Sequence, residues 1–224
     1  MSAPTAVVVV FPGSNCDEET QAALAAAGFA SERAWHEAVG VGADLYVLPG
    51  GFSYGDYLRP GAVAARSPAL PVVRAALAAG AHVLGICNGF QILQEAGLLP
   101  GALLANAPAG FLSRVVRLMP RPGRGVFGRA VGARPFTWPI AHSTGRLYLD
   151  DATRARLWRD ERVLAVYRDD PNGSLDRIAG ILDESGRVCG LMPHPERAAD
   201  RRLGSADGAA FFRRLAEEVA ARAG

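Results

Sequence analysis

The chain contains no lysine: all 24 of its basic residues are arginine, set against 22 acidic ones. That absence excludes Schiff-base chemistry on a lysine amine and a Walker-type phosphate lysine, so the chain cannot activate ATP in the P-loop manner. The heavy use of alanine beside it fits a compositional bias of the source genome. Cysteine is scarce as well. Cys16, Cys87 and Cys189 are odd in number and widely spaced, which fits neither a disulfide framework nor a zinc cluster and predicts a reducing, cytoplasmic setting. A net charge of +2 supplies no global field for nucleic acid or a membrane surface. No basic leader precedes the apolar run over 6–11, which is itself too short for a signal-peptide core. The long uncharged interval over 75–94 is interrupted by Gly80, His82, Gly85, Asn88, Gly89 and Gln91, and reads as helix end, strand, turn and helix start rather than a membrane span.

What is present suits one domain over 1–224, since half of the 224 residues are apolar and can bury a sizeable core. The β-branched run over 6–11 ends in Pro12-Gly13-Ser14-Asn15, and the stretch to Ala27 has helical spacing with Asp17, Glu18 and Glu19 in its first turn. This predicts a strand followed by a capped helix. Further strands are predicted over 29–35, 44–48 and 82–86, with helices over 68–79 and 90–96. Strands without polar alternation, separated by helices, indicate a parallel sheet covered on both faces, with ligands at the strand C-terminal ends. From residue 111 the pattern alternates. Strands are predicted over 113–118, 136–140, 146–149 and 163–167, and over 177–182 and 187–192, which Asp183-Glu184-Ser185-Gly186 joins as a hairpin. The fold class is therefore α/β: a mostly parallel sheet flanked by helices, with antiparallel strands added to one side in the second half and a final amphipathic helix over 206–221.

Gly85-Ile86-Cys87-Asn88-Gly89 sets a thiol where a buried strand stops and a helix begins. Glycines two before and two after Cys87 relax the backbone as in a G-x-S-x-G elbow, and a helix N-terminus favours the thiolate. On the elbow alone, an inert buried cysteine is the competing reading. A nucleophilic thiol needs a base, and four histidines are available. His82 belongs to the opposite end of its strand, His36 near a strand end can pack or face a ligand, and His142 sits in the small-residue loop Ala141-His142-Ser143-Thr144-Gly145. His194 differs, because Met192-Pro193-His194-Pro195-Glu196 follows an apolar strand directly. Two prolines exclude helix there and predict an extended segment, in which His194 and Glu196 share a face and the carboxylate fixes the imidazole tautomer. This favours a Cys87, His194, Glu196 triad. Oxyanion donors are expected from the N–H of Gly51 or of Phe52, in the loop over 49–57, together with the N–H of Asn88. The segment over 114–134 carries six arginines and no acid, and reads either as a partner or phosphate surface or as a solvated loop.

The pattern G-x-C-x-G-x-Q over 85–91 and the late His194-Pro195-Glu196 resemble a class I glutamine amidotransferase. Longer stretches over 11–17, 49–59, 85–93, 172–174, 192–197 and 204–208 are similar to the glutaminase subunits of phosphoribosylformylglycinamidine synthases, and the likeness covers nearly the whole chain. The resemblance implies a flavodoxin-like fold of that class. It implies that Cys87 attacks the glutamine side-chain amide to give a γ-glutamyl thioester and ammonia, with His194 acting as base and then acid and Glu196 orienting it. Gln91, one helical turn after Cys87, is implied to help bind glutamine. The resemblance also implies no cofactor or metal in this chain. ATP and magnesium would belong to a large synthetase subunit, which uses the ammonia to convert formylglycinamide ribonucleotide to its amidine in purine synthesis; a small bridging subunit is left open. After the histidine at 142 the family more often has Gly-Glu, where this chain has Ser143-Thr144.

Overall fold

A computed structural model describes residues 2–121 and 123–222. Met1, Ala223 and Gly224, the ends of the domain expected over 1–224, and Pro122, inside the basic segment, lie outside the described residues.

The first half alternates as the hydrophobic pattern predicts: β1 (Thr5–Val10), α1 (Asp17–Ala26), β2 (Ala30–Trp35), β3 (Leu45–Leu48), α2 (Ala69–Ala78), β4 (His82–Ile86) and α3 (Asn88–Glu95). β3 and β4 are buried at every position, which is why their sequences show no polar alternation. The uncharged interval over 75–94 divides into the end of α2, all of β4 and most of α3, and among the described residues no helix is long and apolar enough to cross a membrane. α1 is not capped by a side chain: Cys16 stands at its N-cap without a side-chain bond, and Asp17, Glu18 and Glu19 meet the positive helix end instead. His82 opens β4, as the strand over 82–86 predicts.

The second half continues as β5 (Ala102–Ala105), β6 (Leu112–Pro120), α4 (Gly125–Ala130), β7 (Phe136–His142), β8 (Thr144–Tyr148), α5 (Asp151–Arg159), β9 (Val163–Tyr167), β10 (Ile178–Leu182), β11 (Val188–Leu191) and α6 (Asp207–Ala220). α4 interrupts the basic segment. α5, which the sequence reading does not predict, begins where the Asp150 carboxylate accepts the N–H of Thr153 at 2.8 Å as an N-cap.

Among the described residues, nine strands form one sheet in the order β2-β1-β3-β4-β11-β10-β9-β6-β7. The strands from β2 to β11 are parallel, and β10, β9, β6 and β7 extend that side in antiparallel fashion. One expectation fails. Residues 146–149 belong mainly to β8, which pairs with β5 in a separate two-stranded sheet, because alternation marks a half-buried strand without saying which neighbour it finds. The register sets Leu48 opposite Gly85 and Ile86 opposite Leu191, so the segments leaving β3, β4 and β11 emerge together at one end of the sheet. α6 closes the core with Phe211, Phe212, Leu215 and Val219 buried, the Phe211 ring set edge-on to Trp138 of β7 at 5.3 Å.

Candidate active site

The elbow depends on its two glycines. A methyl group on Gly89 would lie 1.9 Å from the Leu48 carbonyl oxygen, and one on Gly85 would lie 2.6 Å from the carbonyl oxygen of Gly89. The first turn of α3 therefore rests directly on sheet backbone. Cys87 takes φ 50° and ψ −102°, a region that non-glycine residues rarely occupy, and its N–H donates to the Leu191 carbonyl at 2.6 Å. The neighbouring strand thus holds the strained turn, and the thiol is presented at the end of the sheet, 3.8 Å from the carbonyl oxygen of Ala141.

His194 arrives from β11. Its backbone N–H donates to the Pro139 carbonyl at 2.8 Å, and its Nδ1 lies 2.5 Å from Glu196 Oε1, with side-chain exposures of 2% and 0%. The pairing forms on a backbone other than the extended one expected: Pro195 lies at φ −64° and ψ −31°, and Glu196 opens a 3-10 turn. Proline fixes φ but leaves ψ free to adopt the helical value. With Glu196 on Nδ1, the nitrogen left for chemistry is Nε2, which has no hydrogen-bond partner among the described residues. Burial opposes a charge on His194, but the attraction of Glu196 and then of Cys87 outweighs it and holds the pKa well above the ordinary histidine value.

The loop after β3 offers fewer candidate oxyanion donors than the sequence left. The single N–H of Phe52 donates to the carbonyl of Gly13 at 3.0 Å and is not available, which corrects that alternative. The N–H of Gly51 has no partner among the described residues, and a methyl group on Gly51 would meet the backbone of Ser14 and Asn15 at 2.9 Å. The Asn88 N–H, at the first position of α3, lacks an intrahelical acceptor. Asn88 also ties the parts together: its Oδ1 accepts the Ser53 N–H at 3.0 Å, and its Nδ2 donates to Gln91 Oε1 at 2.8 Å. Gln91 Nε2 in turn donates to the Thr144 carbonyl at 2.7 Å, which leaves one amide hydrogen and one lone pair for a ligand.

The other histidines separate clearly. His36 bonds Ser67 Oγ at 3.1 Å and Tyr54 at 3.3 Å, so it braces the loop over 53–58, where Tyr54, Asp56 and Leu58 all have positive φ. His82 packs on Phe127 at the far end of β4. His142 lies near the site. Both hydrogens of the Asn106 amide donate to the carbonyls of His142 and Gly110, so Asn106 Oδ1 accepts from His142 Nδ1 at 3.1 Å. Burial, and then repulsion from His194, lowers the His142 pKa to about 4, and the ring is neutral.

Two residues beside His194 escaped the sequence reading. Cys16 Sγ, a ring nitrogen of His194 and a Glu196 oxygen lie within 4.8 Å of one another, the one such group of potential metal ligands among the described residues. Arg197 Nη2 approaches Cys16 Sγ at 3.0 Å, and that cation disfavours a metal ion there. Both residues lie inside the motif stretches over 11–17 and 192–197, yet nothing in the sequence says that these touch. The site as built is a buried thiol, imidazole and carboxylate with backbone donors, an arrangement for acyl transfer.

Residues 3–207 match the family model for the CobB/CobQ-like glutamine amidotransferase domain. The chain is 50% identical over 214 residues to phosphoribosylformylglycinamidine synthase subunit PurQ of Ruegeria pomeroyi, across 94% of this chain and 96% of that protein. It is 49% identical over 222 residues to the subunit of the same name from Thermus thermophilus, across 95% and 98%. The chain belongs to the PurQ family of glutamine amidotransferases. Among solved structures, a chain of PurLQS from Thermotoga maritima superposes with a TM-score of 0.87 at 44% identity, covering 95% of this chain and 97% of that one. The α/β architecture of the PurQ family is thus the one found here. A Thermoplasma acidophilum protein described as a GMP synthase component, at 16% identity and a TM-score of 0.66, shares the fold, with 100% of this chain and 97% of that one covered.

Proposed function

We propose that this chain is the glutamine-hydrolysing subunit of a phosphoribosylformylglycinamidine synthase, working as one amidotransferase domain in the cytoplasm, with Cys87 as nucleophile, His194 as base and acid, and Glu196 orienting His194. The buried Nδ1 to Oε1 contact of 2.5 Å at the same sheet end as the strained Cys87 elbow carries this reading.

A protonated His194 favours the thiolate of Cys87. The sulfur attacks the γ-amide carbon of glutamine, and the N–H groups of Gly51 and Asn88 receive the charge that develops on oxygen. His194 Nε2 gives its proton to the leaving nitrogen, ammonia departs, and a γ-glutamyl thioester remains. Water then loses a proton to Nε2, attacks the thioester, and releases glutamate and the thiol. Gln91 would hold the substrate with its free amide hydrogen and lone pair. The ammonia would pass to a large synthetase subunit, where ATP and magnesium drive amidination of formylglycinamide ribonucleotide. A small bridging subunit would be a further partner.

A glutamine-like chloroketone, mapped by mass spectrometry, tests the assignment. A single adduct at Cys87 is expected, and an adduct at Cys16 or Cys189 instead overturns it. In the assembled synthase, Cys87→Ala should abolish the glutamine-dependent reaction and preserve the ammonia-dependent one.

A further inference from the structure

The outer face of β6 is open. Period two sets Val115, Arg117, Met119 and Arg121 along that face, while Val116 and Leu118 on the other face are buried. Val115 is 65% exposed. At one end of this row the Arg168 N–H donates to the Arg117 carbonyl at 2.9 Å, and Arg177 Nη1 donates to the Arg168 carbonyl at 2.6 Å. At the other end the Arg121 guanidinium lies over the Trp158 ring, 5.7 Å from its centre. The four arginines line a cavity of about 440 Å³ floored by Met119, Pro120 and Val166, and no carboxylate lines it. Among the described residues none of these four is paired with an acid, as is also true of thirteen other arginines of the chain.

The position of the row gives it a use. β9 is antiparallel to β10, β10 to β11, and β11 is parallel to β4, so β9 points the same way as β4. Arg168, directly after β9, therefore lies at the sheet end that carries Cys87. A partner consuming ammonia from Cys87 must seat over that end. A site for one small anion would draw on buried donors and free backbone N–H groups. Here the guanidiniums are exposed, and the row from Arg117 to Arg121 spans about 13 Å, four strand residues and more than one phosphate bridges. Arginine and methionine are also enriched in protein interfaces.

We propose that the β6 face is the docking surface for an extended, carboxylate-rich segment of the ammonia-consuming subunit, which uses Arg117, Arg121, Arg168 and Arg177 as its ion-pairing row. This rests on the amidotransferase reading above. Two charge reversals, Arg117→Glu with Arg168→Glu, should weaken binding between this chain and the synthetase partner by about tenfold or more at low salt and flatten the salt dependence of association. Arg117→Lys with Arg168→Lys should keep most of the affinity. Labelling of Cys87 by the chloroketone should be unchanged in every variant; its loss in the unaltered chain would count against the amidotransferase reading, a failure separate from this one. Unchanged affinity and salt slope in the charge-reversed variant overturn the docking surface. So does inorganic phosphate or ATP binding that vanishes in that variant while synthetase affinity holds, since the row would then be a small-anion site.

Discussion

Glu196 Oε1 lies 2.5 Å from Nδ1 of His194, and both side chains are withdrawn from water. A buried carboxylate at that distance fixes which ring nitrogen is free and stabilises the charged form of the ring. Glu196→Gln keeps the shape and removes the charge. Its kcat for glutamine hydrolysis should fall roughly 10²- to 10⁴-fold with the fold intact. Steady-state ammonia release beside a circular-dichroism melt checks this, and a change in KM alone would contradict it.

Gly50 is the close approach behind His194. A methyl group there would sit 2.6 Å from His194 Cε1 and 3.2 Å from Cys16 Sγ. The ring must move to admit it, so Gly50→Ala should cost about 10²-fold in kcat through a misplaced base. Labelling of Cys87 by the chloroketone should slow with it, while the melting temperature shifts by only a few degrees.

The pH dependence of stability should carry a signature of His142. Its folded pKa of about 4 lies below the ordinary value near 6.5, so the unfolded chain binds the proton first as pH falls. The stabilisation is complete above about pH 6.5 and is lost down to about pH 4, a span worth roughly 3 kcal/mol. His194 has the opposite sign. Its folded pKa is raised, so its contribution is complete below about pH 6.5 and fades as pH rises through the folded value. Urea titrations at pH 7 and 4.5 should show a smaller acid loss in His142→Asn than in the unaltered chain.

Phe211, fully buried against Trp138 and Phe212, reports on the core rather than the site. Phe211→Ala should cost about 3–5 kcal/mol in urea unfolding. At low temperature the surviving folded protein should label at Cys87 at an unaltered rate.

Much of this molecule is readable along the chain because its strands, elbow and proline-flanked histidine are local features. β3 and β9 are unbroken apolar runs with every residue buried, β4 is one after its opening His82, and β7 alternates as its burial does. α4 is harder to see, since six residues within an arginine-, proline- and glycine-rich stretch give less than two turns of periodicity. β5 is four residues with little burial, so its pairing with β8 leaves almost no pattern.

The sequence by itself determined the alternation of strands and helices through the first half, the glycine-flanked elbow at Cys87 and the pairing of His194 with Glu196, because periodicity and the backbone limits of glycine and proline act over a few residues. The tertiary structure alone decided that the Phe52 N–H donates to Gly13 while that of Gly51 has no partner among the described residues, that Cys16 and Arg197 stand beside His194, and that four arginines gather on one open strand face. Each of these joins segments far apart in the chain, and their meeting follows from sheet order and register, which local propensity does not encode.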